Sequence, residues 1–278
     1  MKRLLIIGVG YVGMELLRQL REKSYEISLT TTCKERVEEL KKYSKRVLLL
    51  QPQGKDELEQ WIEESDVLII LVAPNDSKSY EETYLNTAKR VCAAIKDREK
   101  PLYLLYTSST SVCEGAGDNP VTEMTTLNPS SENGKILLET EHVYLNSNAN
   151  SCILRLGGIY GPKREWVDRA RRFSGLMAQG NGDKPTNSIH LDDIVSAIVF
   201  CFENTLKGIY HLVNDDHRSR RDLYDILCSS LSLPGPLWST GPFPSSERGY
   251  KVCNQKIKDA GFVFKHQQVL LMSPLEHH

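Results

Sequence analysis

A chain of 278 residues with a 40% apolar fraction can bury one large core, or a large core with a smaller companion. Its 35 basic and 36 acidic residues leave a formal charge of −1, which argues against a nucleic-acid binder, because phosphate contacts need a basic excess. The seven cysteines are odd in number, scattered and never in CxxC spacing, so reduced thiols in a cytoplasmic protein are expected, without a zinc site.

The first segment, KRLLIIGVGYVGMELLRQL, opens on two basic residues and an apolar run, but Gly8, Gly10 and Glu15 interrupt it too early for a signal peptide. No later run reaches membrane-spanning length. Gly8, Gly10 and Gly13 fall at GxGxxG spacing between a strand-like run, Leu4 to Ile7, and a helix-like one carrying Val12, Leu16, Leu17 and Leu20. In that context one glycine makes the turn, one lets the backbone approach a pyrophosphate, and one lets the helix pack on the strand. The phosphates then meet the helix N-terminus, where Tyr11 and Val12 stand.

Strand-like runs follow at 26 to 32, 46 to 50, 66 to 72, 102 to 107 and 151 to 156, separated by helix-like stretches at 55 to 64, 79 to 96 and 132 to 146. Short apolar strands alternating with amphipathic helices predict a doubly wound α/β domain with a parallel sheet covered on both faces. The pattern loosens from about Tyr160, and a smaller C-terminal, substrate-side subdomain is expected. The boundaries read as 1–160 plus 188–206 for the dinucleotide-binding Rossmann domain and 161–187 plus 207–274 for the substrate side. Residues 275–278, Leu-Glu-His-His, read as a cloning-tag remnant.

Four stations in order, GVGYVG at 8 to 13, TSSTSV at 107 to 112, LRLGGIYGP at 154 to 162 and SIHLDDIVSAI at 188 to 198, together resemble the extended short-chain dehydrogenase/reductase superfamily, the NAD-dependent epimerase/dehydratase group. A C-terminal NQKIKDAGF at 254 to 262 extends the likeness to nearly the whole chain. The resemblance implies a nicotinamide cofactor and a hydroxyl at Ser109 that hydrogen-bonds the reacting group, with Ser108 and Thr110 as turn caps. It also implies a Tyr and a Lys at YxxxK on the following helix. Here Asn133 and Leu137 take those positions, and no YxxxK occurs elsewhere. Lys135, about 200° around the helix from Asn133, cannot substitute, and an amide has no titratable proton for general acid work. The chain is thus similar to an atypical bacterial branch that lacks the pair. Tyr106 and Tyr160 are either surrogates or, as the favoured reading has it, core filling and turn packing.

In NAD-specific relatives an acidic residue ends the second strand and binds the ribose hydroxyls. The station falls here on Thr31, within Thr30-Thr31-Thr32, followed by Lys34 and Arg36. A carboxylate about 4 Å from a 2'-phosphate would repel it by up to ~4 kcal/mol at an effective dielectric near 20. Its absence favours NADP over NAD, with Thr31, Thr32, Lys34 and Arg36 as ligands, unless the charged run is only a solvated helix face. Ala73 and Pro74, after the fourth strand, complete the expected cofactor lining.

Within KREWVDRARRF, Arg164 and Trp166 are candidate substrate contacts, against a solvated cationic face. His190 reads as a structural hydrogen-bonding residue, Asp192 or Asp193 as the cap of the following helix, and Arg155 as a buried residue in need of a partner. His and acidic residues never fall into metal-ligand spacing. Two functions stay open: an oxidoreductase or epimerase acting on an unidentified polar metabolite such as a nucleotide sugar, or a non-catalytic NADP(H)-responsive binding module. Either could be a homodimer through helices 79 to 96 and 132 to 146.

Overall fold

The computed structural model describes residues 1–50, 57–74, 79–116, 120–178, 180–239 and 249–270. Strand β1 (Lys2–Ile7) runs into α1 (Tyr11–Leu20), then β2 (Tyr25–Thr31), a 3-10 turn (Lys34–Arg36) with α2 (Val37–Leu40), and β3 (Arg46–Leu49). Next come α3 (Leu58–Glu64), β4 (Val67–Ile70), a π-helical turn (Glu81–Leu85) continuing as α4 (Asn86–Ala94), β5 (Tyr103–Ser109), α5 (Glu132–Leu145) and β6 (Asn150–Leu156). The remaining elements are β7 (Gly158–Tyr160), α6 (Trp166–Phe173), β8 (Met177–Ala178), β9 (Ser188–His190), α7 (Leu191–Glu203), β10 (Gly208–Leu212), α8 (Arg220–Ser230), β11 (Leu237–Trp238) and α9 (Gln255–Asp259).

Seven strands form one sheet in the order β10-β6-β5-β4-β1-β2-β3. The register runs parallel from Leu4 opposite Val67 and Ile27 through Ile7 opposite Ile70 and Thr30. Strand order reverses beside β1, and ligands of such sheets bind outside the strands' carboxyl ends at that switch point. The sequence dictates this arrangement: Leu4 to Ile7 and Val67 to Ile70 are apolar at every position, and all are buried. Only a strand covered on both faces can hide such a run.

The predicted elements appear with two differences. The helix expected over 55 to 64 is described from Leu58, its first residues lying outside the described ones, as do 275–278. The helix expected over 79 to 96 is not uniformly α: a reciprocal capping box starts it, Ser79 Oγ accepting from Glu82 N at 3.1 Å and Glu82 Oε2 from Ser79 N at 2.9 Å. One π turn follows before the α register resumes at Asn86.

The chain folds as two compact units. The first holds residues 1–109, 132–155 and 195–210, and the second 110–131, 156–194 and the chain from 211 onward. The first unit packs Leu5, Ile7, Leu68, Ile70, Leu104 and Ile153 of the sheet against Leu58, Ile62, Ala88, Val91 and Tyr144 of its helices. The second has its own cluster, centred on Trp166, Ala170, Leu223, Tyr224 and Leu227.

Candidate functional site

The β1–α1 turn assigns each glycine a different constraint. Gly8 has φ +90°, and a Cβ there would sit 2.9 Å from backbone atoms of Leu71 and Val72. A Cβ on Gly13 would meet Gly8 O at 3.1 Å and Val9 Cγ1 at 3.3 Å, so its hydrogen is what lets α1 lie on the turn. Gly10 is the contrast, with nothing within 4 Å of the same position. It is the N-cap of α1, and no side chain caps that terminus. Open space above an uncapped helix N-terminus is what a pyrophosphate requires.

Next to the turn the first unit encloses a cavity of about 330 Å³. It gathers Gly8, Gly10, Thr31, Thr32, Arg36 and Ala73 from the sequence-predicted set. Tyr11, Val12, Gly13, Lys34 and Pro74 are not among its lining residues. Lys34 is exposed on its 3-10 turn. The Arg36 guanidinium donates to the carbonyl of Val9, inside the glycine turn, and pairs with Glu39 at 3.2 Å. Thr31 Oγ1 accepts from Cys33 N at 3.1 Å, which closes the turn after β2.

The opposite wall was not legible in the sequence: Glu82, Thr83, Thr87 and Arg90 reach the cavity from the π turn and α4. No short motif marks them, because the π turn resets which face of that helix looks inward. The hydroxyls of Thr30 and Thr83 are buried without a hydrogen-bond partner, and both residues line the cavity. Glycine turn, acid-free end of β2, the arginines Arg36 and Arg90 on the wall and the unpartnered hydroxyls of Thr30 and Thr83 together fit the pyrophosphate and adenosine half of a dinucleotide.

At the end of β5, Ser108 is buried and donates to Glu141 Oε1 at 2.5 Å. Arg155, the buried arginine that the sequence left without a partner, grips the same carboxylate through Nε at 3.1 Å and Nη2 at 2.7 Å. Glu141 lies on α5 four and eight residues beyond Leu137 and Asn133, so the three share a face. Ser109 is half-buried beside this network, Asn133 is exposed in the first turn of α5, and Leu137 is 2% exposed. Lys135 is paired with Glu132 at 2.6 Å.

Tyr106 is fully buried against Tyr144, ring centroids 4.9 Å apart, which makes it core. In the second unit the Tyr160 hydroxyl meets Gln268 O at 3.3 Å, and burial pushes its pKa up to about 12, so it stays protonated through neutral pH. His190 Nδ1 accepts from Asp192 N at 3.1 Å, and the imidazole thereby caps the first turn of α7. Neither aspartate serves the helix as a cap. Asp193 takes the amides of Lys265 and His266 at 2.7 and 3.1 Å, and Asp192 Oδ2 lies 3.1 Å from His266 Nε2. Trp166 lines a cavity with Arg169, Arg172 and Arg220, and Arg164 a neighbouring one with Lys163, Arg169 and Arg172. The Arg169 guanidinium stacks 4.6 Å from the Trp166 ring centroid.

Fold and glycine turn define a doubly wound protein of the Rossmann class. The profile of the NAD dependent epimerase/dehydratase family matches residues 4–214, and the chain belongs to that family. It is 28% identical to protein YeeZ of Escherichia coli K12 over 286 aligned positions, covering 99% of this chain and all of that protein. Among solved structures it resembles a conserved protein of unknown function from Silicibacter pomeroyi, with a TM-score of 0.76 and 21% identity over 97% of this chain and 95% of that one. It also resembles UDP-glucuronic acid 4-epimerase from Bacillus cereus in complex with UDP-glucuronic acid and NAD, with a TM-score of 0.75 and 18% identity over 92% of each chain. No helix among the described residues is long and apolar enough to cross a membrane.

Proposed function

We propose that the chain is a cytoplasmic, NADP(H)-binding oxidoreductase or epimerase-like protein acting on a polar metabolite of the nucleotide-sugar kind, through an active site of atypical make-up. The observation that carries the cofactor reading is the end of β2. Thr31 falls at the station where NAD-specific relatives carry a carboxylate, and Thr32 and Arg36 line the same cavity. The Bacillus cereus epimerase supports the substrate class, since it was solved with NAD and a UDP-sugar acid. The first unit would hold the cofactor and the second the substrate, with Arg164 and Trp166 on the substrate side, and the chain would pair as a homodimer through α4 and α5.

A bound nicotinamide supplies hydride transfer. The chain's own contribution is to hold: Gly8 and Gly10 the pyrophosphate, Arg36 the 2'-phosphate, Ser109 the substrate oxygen, and the Glu141–Arg155 pair the serine turn. Asn133 orients by hydrogen bonding and moves no proton. The apolar, buried Leu137 at the usual lysine position favours the second reading, a non-catalytic NADP(H)-responsive module.

Arg36→Ala tests the cofactor choice. Losing charge-assisted bonds to a phosphate should weaken NADPH binding by roughly 10- to 100-fold and leave NADH unchanged. Equal loss for both would show that Arg36 only braces the turn. Ser109→Ala separates the two functions, because turnover falls in an enzyme while a sensor keeps its NADPH affinity.

A further inference from the structure

The C-terminal segment brings His266 against His190 and Asp192, which lie more than 70 residues earlier in the chain. Asp192 Oδ2 is 3.1 Å from His266 Nε2 and 3.6 Å from His190 Nδ1, and the three ligand atoms lie within 4.8 Å of one another. The two imidazole rings are 3.8 Å apart, centroid to centroid. We propose that His190, Asp192 and His266 form a binding site for a first-row divalent cation, zinc being the best match to two imidazoles and one carboxylate. This inference is independent of the cofactor reading.

Zinc bonds nitrogen and carboxylate oxygen at roughly 2.0–2.2 Å in tetrahedral geometry, so its ligand atoms stand ~3.3 Å apart. Two of the measured separations already lie near that value. The ligands are also held by contacts that owe nothing to a metal. Asp193 fixes the backbone of Lys265 and His266 through two amide hydrogen bonds, and His190 packs edge-on against Tyr160 at 5.0 Å. Such support is what a site needs to avoid ordering its ligands at the moment of binding. His190 Nδ1 accepts an amide hydrogen bond, so its lone pair already lies toward Asp192; a cation would take that lone pair in place of the amide. The fourth position is left to water. A bound cation would staple residue 266 to the start of α7 and act structurally.

The test is a calorimetric titration of the metal-stripped full chain with Zn²⁺, with His277→Ala and His278→Ala throughout so that the terminal imidazoles supply no ligands. The expected result is one ion per chain at micromolar Kd or tighter, a rise in Tm with Zn²⁺, and visible d–d absorption on loading with Co²⁺. Asp192→Asn and His266→Gln should each weaken zinc by ~100-fold or more, since even outer-shell partners are worth 10- to 100-fold. No binding in the micromolar range, or binding undiminished in both variants, overturns the proposal. If either variant proves unfolded by circular dichroism, X-ray absorption of the zinc-loaded parent decides instead: two imidazoles in the first shell support the site, and fewer refute it.

Discussion

Gly8 and Gly10 separate folding from binding within three residues. Gly8→Ala forces a left-handed φ on an L-residue and drives a methyl onto the backbone of Leu71 and Val72, so it should cost on the order of 1–3 kcal/mol in urea unfolding. Gly10→Ala places its methyl in open space and should leave stability within ~0.5 kcal/mol. If a pyrophosphate sits there, the same methyl should weaken dinucleotide binding by tenfold or more in calorimetry. Glu141→Gln tests the buried network, where both side chains of the ion pair are at most 3% exposed. Leaving Arg155 buried without its counter-charge should cost about 3–5 kcal/mol by chemical denaturation, and a loss under about 1 kcal/mol would contradict the network's structural role. At this scale the sequence was uneven. Spacing alone gave reason to expect the glycine turn, because each of its constraints is local. Glu141 as the partner of Arg155 was hidden, since one lies on α5 and the other on β6, and only the fold brings them together.

Elements with strong, local signals were legible, among them the apolar runs of β1 and β4. The π turn was not, because its extra residue leaves no trace in periodicity, yet it carries Glu82 and Thr83 to the cavity wall. The junction of β9 and α7 shows the same limit, since the expected aspartate cap is replaced by His190 while Asp193 reaches 72 residues along the chain to Lys265. That junction predicts a pH dependence. Burial, His266 and Lys265 lower the His190 pKa from its ordinary 6.5, outweighing Asp192 and Asp193, which raise it. The unfolded chain therefore binds this proton first. Stability from the neutral imidazole is complete above about pH 6.5 and is lost as pH falls through the depressed folded value. Melting curves from pH 8 to 5 in metal-free buffer should show a steeper fall for the parent than for His190→Gln; parallel curves would contradict this.

For the molecule as a whole, alternation of apolar strands with helices was enough to read the doubly wound sheet, and the ordered motifs were enough to read the family. The second unit was less legible because its strands are two or three residues long, below any period a sequence can display. What the chain does depends on whether the cavity of the first unit takes a dinucleotide, and which one. The most direct measurement is calorimetric titration of the full chain with NADPH and, separately, with NADH. One NADPH per chain at micromolar affinity, with NADH at least tenfold weaker, is the predicted result. Binding of neither would contradict the cofactor reading and with it the oxidoreductase function.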